Sequence, residues 1–438
     1  MKMTVIGCGH LGTTHAASMA ALGHEVVGVD IDATKVGMLN SGKAWFSEPD
    51  LDAMLAENIE AGRLRFTMDF AEAAEFASVH FIGVATPGQE DGTYDLSQLY
   101  AAVSALVPHL RGDVVIIGKS TVPPGTASGV QALVDGMLPP GQGHVEVVWN
   151  PEFLREGRAV EDTLRPDRIV VGAPTEKAAA VMDEIYRPLT DAGVPLLHTD
   201  LVTSELAKGA ANAFLAMKIS FINSMADICV AVGGDIATLE HSLGLDPRIG
   251  STFLKAGLGY GGACLPKDVR GLGTFADGIG VTNAAALLRL VDKINATRAG
   301  QVVACVQEAI GHVAGKRVTV WGGAFKAGTD DVRDSAGLKV AQQLRDLGAE
   351  VTVFDPVANG TAAVIFPELN YANSAIMAAA GADAIVVVTA WPEFAATSAV
   401  EVGAVMKNRI VVDACQGIDA AAWRTAGYRS VSLTGIQS

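Results

Sequence analysis

Cys264 closes the run Phe253-Leu254-Lys255-Ala256-Gly257-Leu258-Gly259-Tyr260-Gly261-Gly262-Ala263-Cys264, and Leu265-Pro266-Lys267-Asp268 follow it. A cysteine attacks through its thiolate, and a cation one turn away, here Lys267, favours that form. Gly257, Gly259, Gly261 and Gly262 allow a backbone to approach an anionic ligand and to aim its N–H groups at it. A buried cysteine behind a structural glycine turn has the same local sequence. The rest of the chain must decide between the two.

Further candidates for chemistry lie upstream and downstream. Lys208 and Asn212 stand four residues apart in an alanine-rich helical pattern and so share a face. Such a pair could donate hydrogen bonds to one developing oxyanion, whereas a solvated lysine beside an asparagine is the plain alternative. Glu152, in Asn150-Pro151-Glu152-Phe153-Leu154-Arg155-Glu156-Gly157, could act as a base or hold a water, or simply sit at a helix N-terminus where the dipole favours it. Thr121, in Ser120-Thr121-Val122-Pro123-Pro124-Gly125, has the same ambiguity between a turn and a water ligand. Arg248, Lys326 and Arg333 are cations in loops of a strongly acidic chain, suited to phosphate or to ordinary surface pairing.

The elements that must position these residues can be read from the apolar pattern. Residues 3–6 form a strand, Gly7-Cys8-Gly9-His10-Leu11-Gly12 follows, residues 13–22 make a small-residue helix, and Val26–Val29 form a second strand ending at Asp30. Gly7, Gly9 and Gly12 satisfy the dinucleotide fingerprint G-x-G-x-x-G, and Asp30 falls where an acid would take the adenosine ribose hydroxyls. An acid there repels a 2′-phosphate, so NAD is expected over NADP. Parallel strands are expected at Val79–Val84, Val114–Gly118, Val145–Trp149 and Ile169–Val171. The turns carrying Thr86, Thr121 and Glu152 leave the C-terminal ends of such strands, where ligands bind in doubly wound sheets.

A long helical run from Leu201 to about Val232 and another over about Ala284–His312 come next. A second Rossmann-like pattern then begins at Lys316, with a helix over 335–347, a strand Glu350–Phe354 ending at Asp355, and strands Ala384–Val388 and Ile410–Asp413. Its first turn carries Phe325 and Lys326 and is not a dinucleotide fingerprint. The fold class expected is α/β, two Rossmann-like doubly wound parallel-sheet domains joined by a long central helical segment. The divisions are 1–200, 201–300 and 301–438, with the helical connector a natural dimer surface.

At 438 residues, the chain suggests two or three domains at about 150 residues each. Half its residues are apolar and 18% are charged, as in a well-buried globular protein. A net charge of −16 argues against nucleic-acid and anionic-membrane partners. Five scattered cysteines indicate neither a disulfide framework nor a zinc site, and a reducing cytoplasm fits them. The first residues run straight into a strand without a signal-peptide pattern, and no uninterrupted apolar run is expected to span a bilayer.

Taken together, these motifs resemble the UDP-glucose/GDP-mannose dehydrogenase family, in particular its UDP-glucose 6-dehydrogenase branch, from the first strand to near the C-terminus. The resemblance is carried by Gly7-x-Gly9-x-x-Gly12, Thr86-Pro87, Ser120-Thr121-Val122-Pro123, Asn150–Leu154, Lys208 with Asn212, Phe253–Asp268, and Phe325-Lys326 with Asp330 and Arg333. It implies that Cys264 is the nucleophile, that Lys208 and Asn212 stabilise the oxyanion, and that Thr121, Glu152 and Asp268 surround the hydrolytic water. It places Glu152, Phe153, Leu154, Lys208, Asn212, Arg248 (reaching a neighbouring subunit's site), Phe253, Leu254, Lys255, Ala256, Gly257, Gly261, Phe325 and Lys326 on a nucleotide sugar. Asp30, Lys35, Thr86, Thr121, Glu156, Lys267 and Arg333 are implied to contact NAD.

After Asp413, relatives usually continue Gly-Arg-Asn or Gly-Arg-Arg, whereas this chain has Ala414-Cys415-Gln416-Gly417. That position bears on which nucleotide is held. The activity implied is oxidation of UDP-glucose to UDP-glucuronate with two NAD. The alternatives are the same chemistry on GDP-mannose, a UDP-N-acetylhexosamine or dTDP-glucose, a two-electron β-hydroxyacid dehydrogenase, and a nucleotide-sugar-binding regulator without turnover.

Overall fold

The computed structural model describes residues 1–139, 141 and 143–433; the end of the expected third region, 434–438, lies outside the described residues. Two compact units divide the chain, 1–211 and 212–438.

The first unit contains β1 (Lys2–Ile6), β2 (Glu25–Val29), β3 (Leu64–Thr67), β4 (Val79–Ile82), β5 (Val114–Gly118), β6 (Val145–Trp149), β7 (Ile169–Gly172) and β8 (Leu196–Thr199) in one sheet of order β3-β2-β1-β4-β5-β6-β7-β8. The first six positions reproduce the Rossmann order. Strands β1, β2, β4, β5 and β6 are almost entirely buried runs of Val, Ile and Phe, as a sheet covered on both faces requires. One apolar cluster covers each face. Gly118 is where Trp149 of the neighbouring strand packs: a Cβ would fall 2.2 Å from the indole.

The expected parallel sheet has one exception. Strand β7 meets β6 antiparallel, at Trp149 and Gly172, and then pairs in parallel with β8. The segment between them folds into the short helix Ala159–Leu164 instead of a full crossover helix. The strand that follows it enters the sheet in the opposite direction to β6.

The second unit repeats the scheme with β9 (Arg317–Trp321), β10 (Glu350–Phe354), β11 (Asn370–Tyr371), β12 (Ala384–Val387), β13 (Ile410–Asp413) and β14 (Arg429–Ser432), ordered β11-β10-β9-β12-β13-β14. It also holds the helices Ile236–Leu245, Leu265–Gly278 and Thr282–Ile310. Between the sheets, in sequence, lies the helix Leu201–Val232, and the boundary of the two units falls within it.

By length and composition this helix alone, among the described residues, would suffice to cross a membrane, although Glu205, Lys208, Lys218 and Asp227 interrupt its apolar run. Its polar side chains are engaged within the protein. Glu205 accepts from the N–H groups of Gly125 and Ala127, Ser220 donates to the Val291 carbonyl, and Asn223 accepts from Gly257. These buried polar groups are satisfied within the protein, while Phe214, Phe221 and Ile228 on the same helix remain about half exposed.

Candidate active site

The first unit builds a dinucleotide cradle. Gly7 has φ +92°, and a Cβ on Gly12 would lie 1.8 Å from the Gly7 carbonyl oxygen, so only glycine lets helix His10–Ala21 start against β1. A Cβ on Gly9 would meet nothing within 4 Å, which leaves the open space that a pyrophosphate needs at a helix N-terminus. At the end of β2 the Asp30 carboxylate accepts from the N–H of Cys8 (2.8 Å) and from that of Asp32 (3.0 Å). It therefore shapes the turn. Lys35 lies over the Trp45 ring at 4.6 Å, and Trp45 donates to the Cys8 carbonyl.

The two turns after β4 and β5 are tied together: Thr86 donates to the Thr121 carbonyl at 2.7 Å, and Ser120 donates to that of Val84 at 2.6 Å. After β6 the turn carries a buried ion pair, Glu152 Oε1 to Lys208 Nζ at 2.9 Å, while Glu152 Oε2 accepts from the Leu154 N–H at 2.7 Å. The Phe153 ring lies 5.6 Å from the Lys208 ammonium and 3.9 Å from the Arg168 guanidinium. Glu156 is half-buried in the same turn. A cavity of about 190 Å³ is lined by His15, Lys119, Asn150, Glu152, Phe153 and Tyr186 among others.

In the second unit Cys264 is the exposed cysteine of the five and caps helix Leu265–Gly278. A thiol at a helix N-terminus is biased toward the thiolate by the unpaired N–H groups there. One turn into the helix Asp268 is fully buried, yet its carboxylate is well held. Asn212 Nδ2 donates to one oxygen at 2.5 Å, and Lys267 Nζ lies 2.7 Å from the other. The amide expected beside an oxyanion thus already uses one donor on Asp268, and its second N–H is what remains for a ligand.

The glycine-rich loop is packed closely by the protein itself, as the structural-turn alternative expects. The Gly257 N–H is taken by Asn223 and the Gly262 N–H by the Arg333 carbonyl. A Cβ on Gly259 would lie 2.2 Å from Asn295 Oδ1, on Gly261 2.5 Å from the Asp334 carbonyl, and on Gly262 2.8 Å from the Phe325 ring. Close protein packing, with φ +99° at Gly259 and +84° at Gly262, accounts for these glycines.

The remaining candidates are held as follows. Phe253 has φ +63°, a strained value for an aromatic residue, and Leu254 and Ala256 are buried. The Ala256 N–H donates to Glu240, and Lys255 Nζ donates to the Gln416 carbonyl at 3.3 Å. Arg248 pairs with Asp246 on the surface, and Arg333 spends its fork on Asp331, so each must exchange a carboxylate to reach a phosphate. Lys326 Nζ sits 5.5 Å from the ring of Phe325. After Asp413, Cys415 is half-buried, and burial followed by the neighbouring Asp413 pushes its thiol well up.

Sequence reasoning missed Lys119 and Tyr186 in the first unit and Glu240, Asn295 and Arg298 in the second. Asn295 makes two hydrogen bonds of 2.8 Å to the backbone of Tyr260, and Arg298 donates to the Gly257 carbonyl at 3.0 Å. Lys119 had a signal: an ionisable residue placed directly after a wholly apolar strand.

Comparison with known proteins covers nearly the whole chain. Three models of one family match in order: the NAD binding domain of the UDP-glucose/GDP-mannose dehydrogenase family over residues 1–190, its central domain over 202–297 and its UDP binding domain over 319–420. A UDP-glucose 6-dehydrogenase of Rhizobium meliloti (strain 1021) is 43% identical over 420 residues, covering 94% of each chain. Among solved structures, a UDP-glucose dehydrogenase from Pyrobaculum islandicum superposes with a TM-score of 0.92 at 34% identity, covering 99% of this chain and 97% of that one. A UDP-D-ManNAc dehydrogenase from Pyrococcus horikoshii gives 0.87 at 27% identity, covering 99% of both.

Proposed function

The chain belongs to the UDP-glucose/GDP-mannose dehydrogenase family, and on that premise we propose that it oxidises UDP-glucose to UDP-glucuronate with NAD. The observation that carries the reading is an exposed cysteine at a helix N-terminus in a chain that also folds a dinucleotide cradle ending in an acid.

Converting a primary alcohol to a carboxylate removes four electrons, and NAD supplies the acceptor for each of the two hydrides. Cys264 adds to the aldehyde carbon formed by the first oxidation, giving a thiohemiacetal that does not escape. Its oxidation leaves a thioester on Cys264, and water then releases the acid and returns the thiol. Lys208 and Asn212 stabilise the negative oxygen at each stage, and Glu152, Asp268 and Thr121 orient and deprotonate the water. Gly7, Gly9, Gly12, Asp30, Lys35, Thr86, Glu156, Lys267 and Arg333 serve the cofactor. Phe153, Leu154, Arg248, residues 253–257, Gly261, Phe325 and Lys326 hold the nucleotide sugar. Support for these roles comes from the buried Glu152–Lys208 pair and from the Asn212–Asp268–Lys267 chain behind Cys264.

The organisation proposed is 1–200 for the cofactor, 201–300 for the catalytic cysteine and pairing of subunits, and 301–438 for the nucleotide; the three family domains matched in that order support it. A cytoplasmic homodimer or higher homo-oligomer is the form proposed. Phe214, Phe221 and Ile228 are about half exposed and recur every seventh residue along one stripe of helix Leu201–Val232, a pattern suited to a second copy of the same helix.

NADH produced per sugar, measured with UDP-glucose, GDP-mannose, UDP-N-acetylhexosamines and dTDP-glucose, tests the reading. Two NADH per UDP-glucose are expected. One NADH would indicate a two-electron dehydrogenase, none a binding protein, and preference for another sugar would move the substrate.

A further inference from the structure

Lys119 is a cation that the chemistry above does not use. It stands directly after β5 with 6% of its surface exposed, and its hydrogen-bond partners are all neutral: Asn150 Oδ1 at 3.0 Å, the Asn150 carbonyl at 3.4 Å and the Tyr186 hydroxyl at 3.5 Å. The Phe81 ring lies 5.7 Å from its ammonium. Burying a charge with no carboxylate bonded to it is costly, and a methionine would fill the same space without that cost.

Two of the three bonds go to Asn150, whose side chain is fully fixed. Asn150 Oδ1 also accepts from Tyr186 at 2.5 Å, its Nδ2 donates to the Val170 carbonyl at 2.7 Å, and its backbone N–H donates to Gly118 at 2.8 Å. Pro151 follows with its fixed φ, and the next residue is Glu152, bonded to Lys208. A rigid path therefore runs from Tyr186 and Lys119 through Asn150 to the Glu152–Lys208 pair.

We propose that Lys119 is a positioning residue for the reaction: with Tyr186 it locks Asn150 and so aims Glu152 at Lys208, and its charge adds a second buried cation facing that carboxylate. The proposal rests on Glu152 and Lys208 serving the oxidation. The charge balance agrees with it: burial pulls the Lys119 ammonium down to about 8, Glu152 opposes that shift, and Lys208 adds to it. His15 beside it is kept neutral, first by its own burial and then by Lys119.

The test is Lys119→Met with NAD and UDP-glucose, reading kcat, both KM values and Tm. A fall in kcat of about 10–100-fold is expected, with both KM values within about twofold and Tm unchanged or higher, since a buried charge has gone. In a Glu152→Gln background the same change is expected to cost less than about twofold more, because both variants break one path. A wild-type kcat, a lowered Tm as the main effect, or losses that multiply would overturn the proposal. Should K119M fail to fold, Tyr186→Phe removes one bond of the network without touching the charge. A fall in kcat of about 3–10-fold is expected there, and an unchanged kcat overturns the proposal. Failure of the wild type to make two NADH per UDP-glucose sinks the reading of the site itself, whatever K119M does.

Discussion

At the scale of single residues, Cys264 is set apart by exposure, while Cys8, Cys305 and Cys415 have thiols pushed up chiefly by burial. A serine in its place keeps the shape but is far less acidic and cannot form a thioester. Cys264→Ser is expected to lower acid formation by more than about 10³-fold with NAD binding unaltered, measured as NADH release and as glucuronate by mass. Formation of acid at the wild-type rate would remove the covalent step.

His80 offers a second check, on stability. It is fully buried in β4, shares a 2.7 Å hydrogen bond with Thr4, and burial lowers its pKa from 6.5 to about 3. The unfolded chain binds this proton at higher pH than the folded one. Its contribution to stability is therefore complete above about pH 6.5 and is lost as pH falls toward about 3. His80→Gln keeps a polar partner for Thr4 and should flatten the acid side of the Tm–pH curve. An acid limb identical to the wild type would show that other groups dominate.

At the scale of elements, the two sheets share one joint. In the first, Gly7, Gly12 and Asp30 meet, and in the second Gly322, Gly337 and Asp355 do: a Cβ on Gly337 would lie 3.3 Å from the Gly322 carbonyl, as Gly12 crowds that of Gly7. Asp355 accepts from the N–H groups of Gly323 and Ala324 and from the Trp391 indole, so its carboxylate is filled by the protein. Asp30 has no indole among its partners. Asp30→Asn is expected to keep the Cys8 bond yet raise the KM for NAD by about tenfold and narrow the gap to NADP; Asp30→Ala should do both and lower Tm as well. An unchanged cofactor preference in both variants would take the acid off the ribose.

This joint explains what could be read in advance. The strands β1, β2, β4, β5, β6, β9, β10, β12 and β13 were visible as apolar runs, because buried parallel strands advertise themselves. Leu64–Thr67 and Leu196–Thr199 carry exposed polar residues at the sheet edge and gave no such run. Cys264, Glu152 and Lys208 stand out because their types suit the chemistry, whereas Asn295 and Arg298 act through backbone partners that no local pattern encodes. At 257–262 the residues alone leave a ligand cradle and a structural turn both open, because a sequence does not reveal that Asn295, Asp334 and Phe325 fill the space beside three of the glycines.

At the scale of the whole molecule, a net charge of −16 must coexist with an anionic dinucleotide and a nucleotide sugar, so local cations are needed where they bind. The stripe of Phe214, Phe221 and Ile228 leaves apolar surface that a second copy would cover. Phe221→Asp is expected to weaken self-association by about 10²-fold or more, shifting light-scattering mass from dimer to monomer at micromolar concentration. A wild type that is monomeric, or a variant with wild-type mass, would place the contact elsewhere.

Because Cys264 alone of the five thiols is exposed, a maleimide or iodoacetamide added to the folded chain becomes a head-count. Label incorporated per polypeptide gives the fraction of competent molecules in any batch, and the speed of labelling with sugar or dinucleotide present reports which of them shields the sulfur.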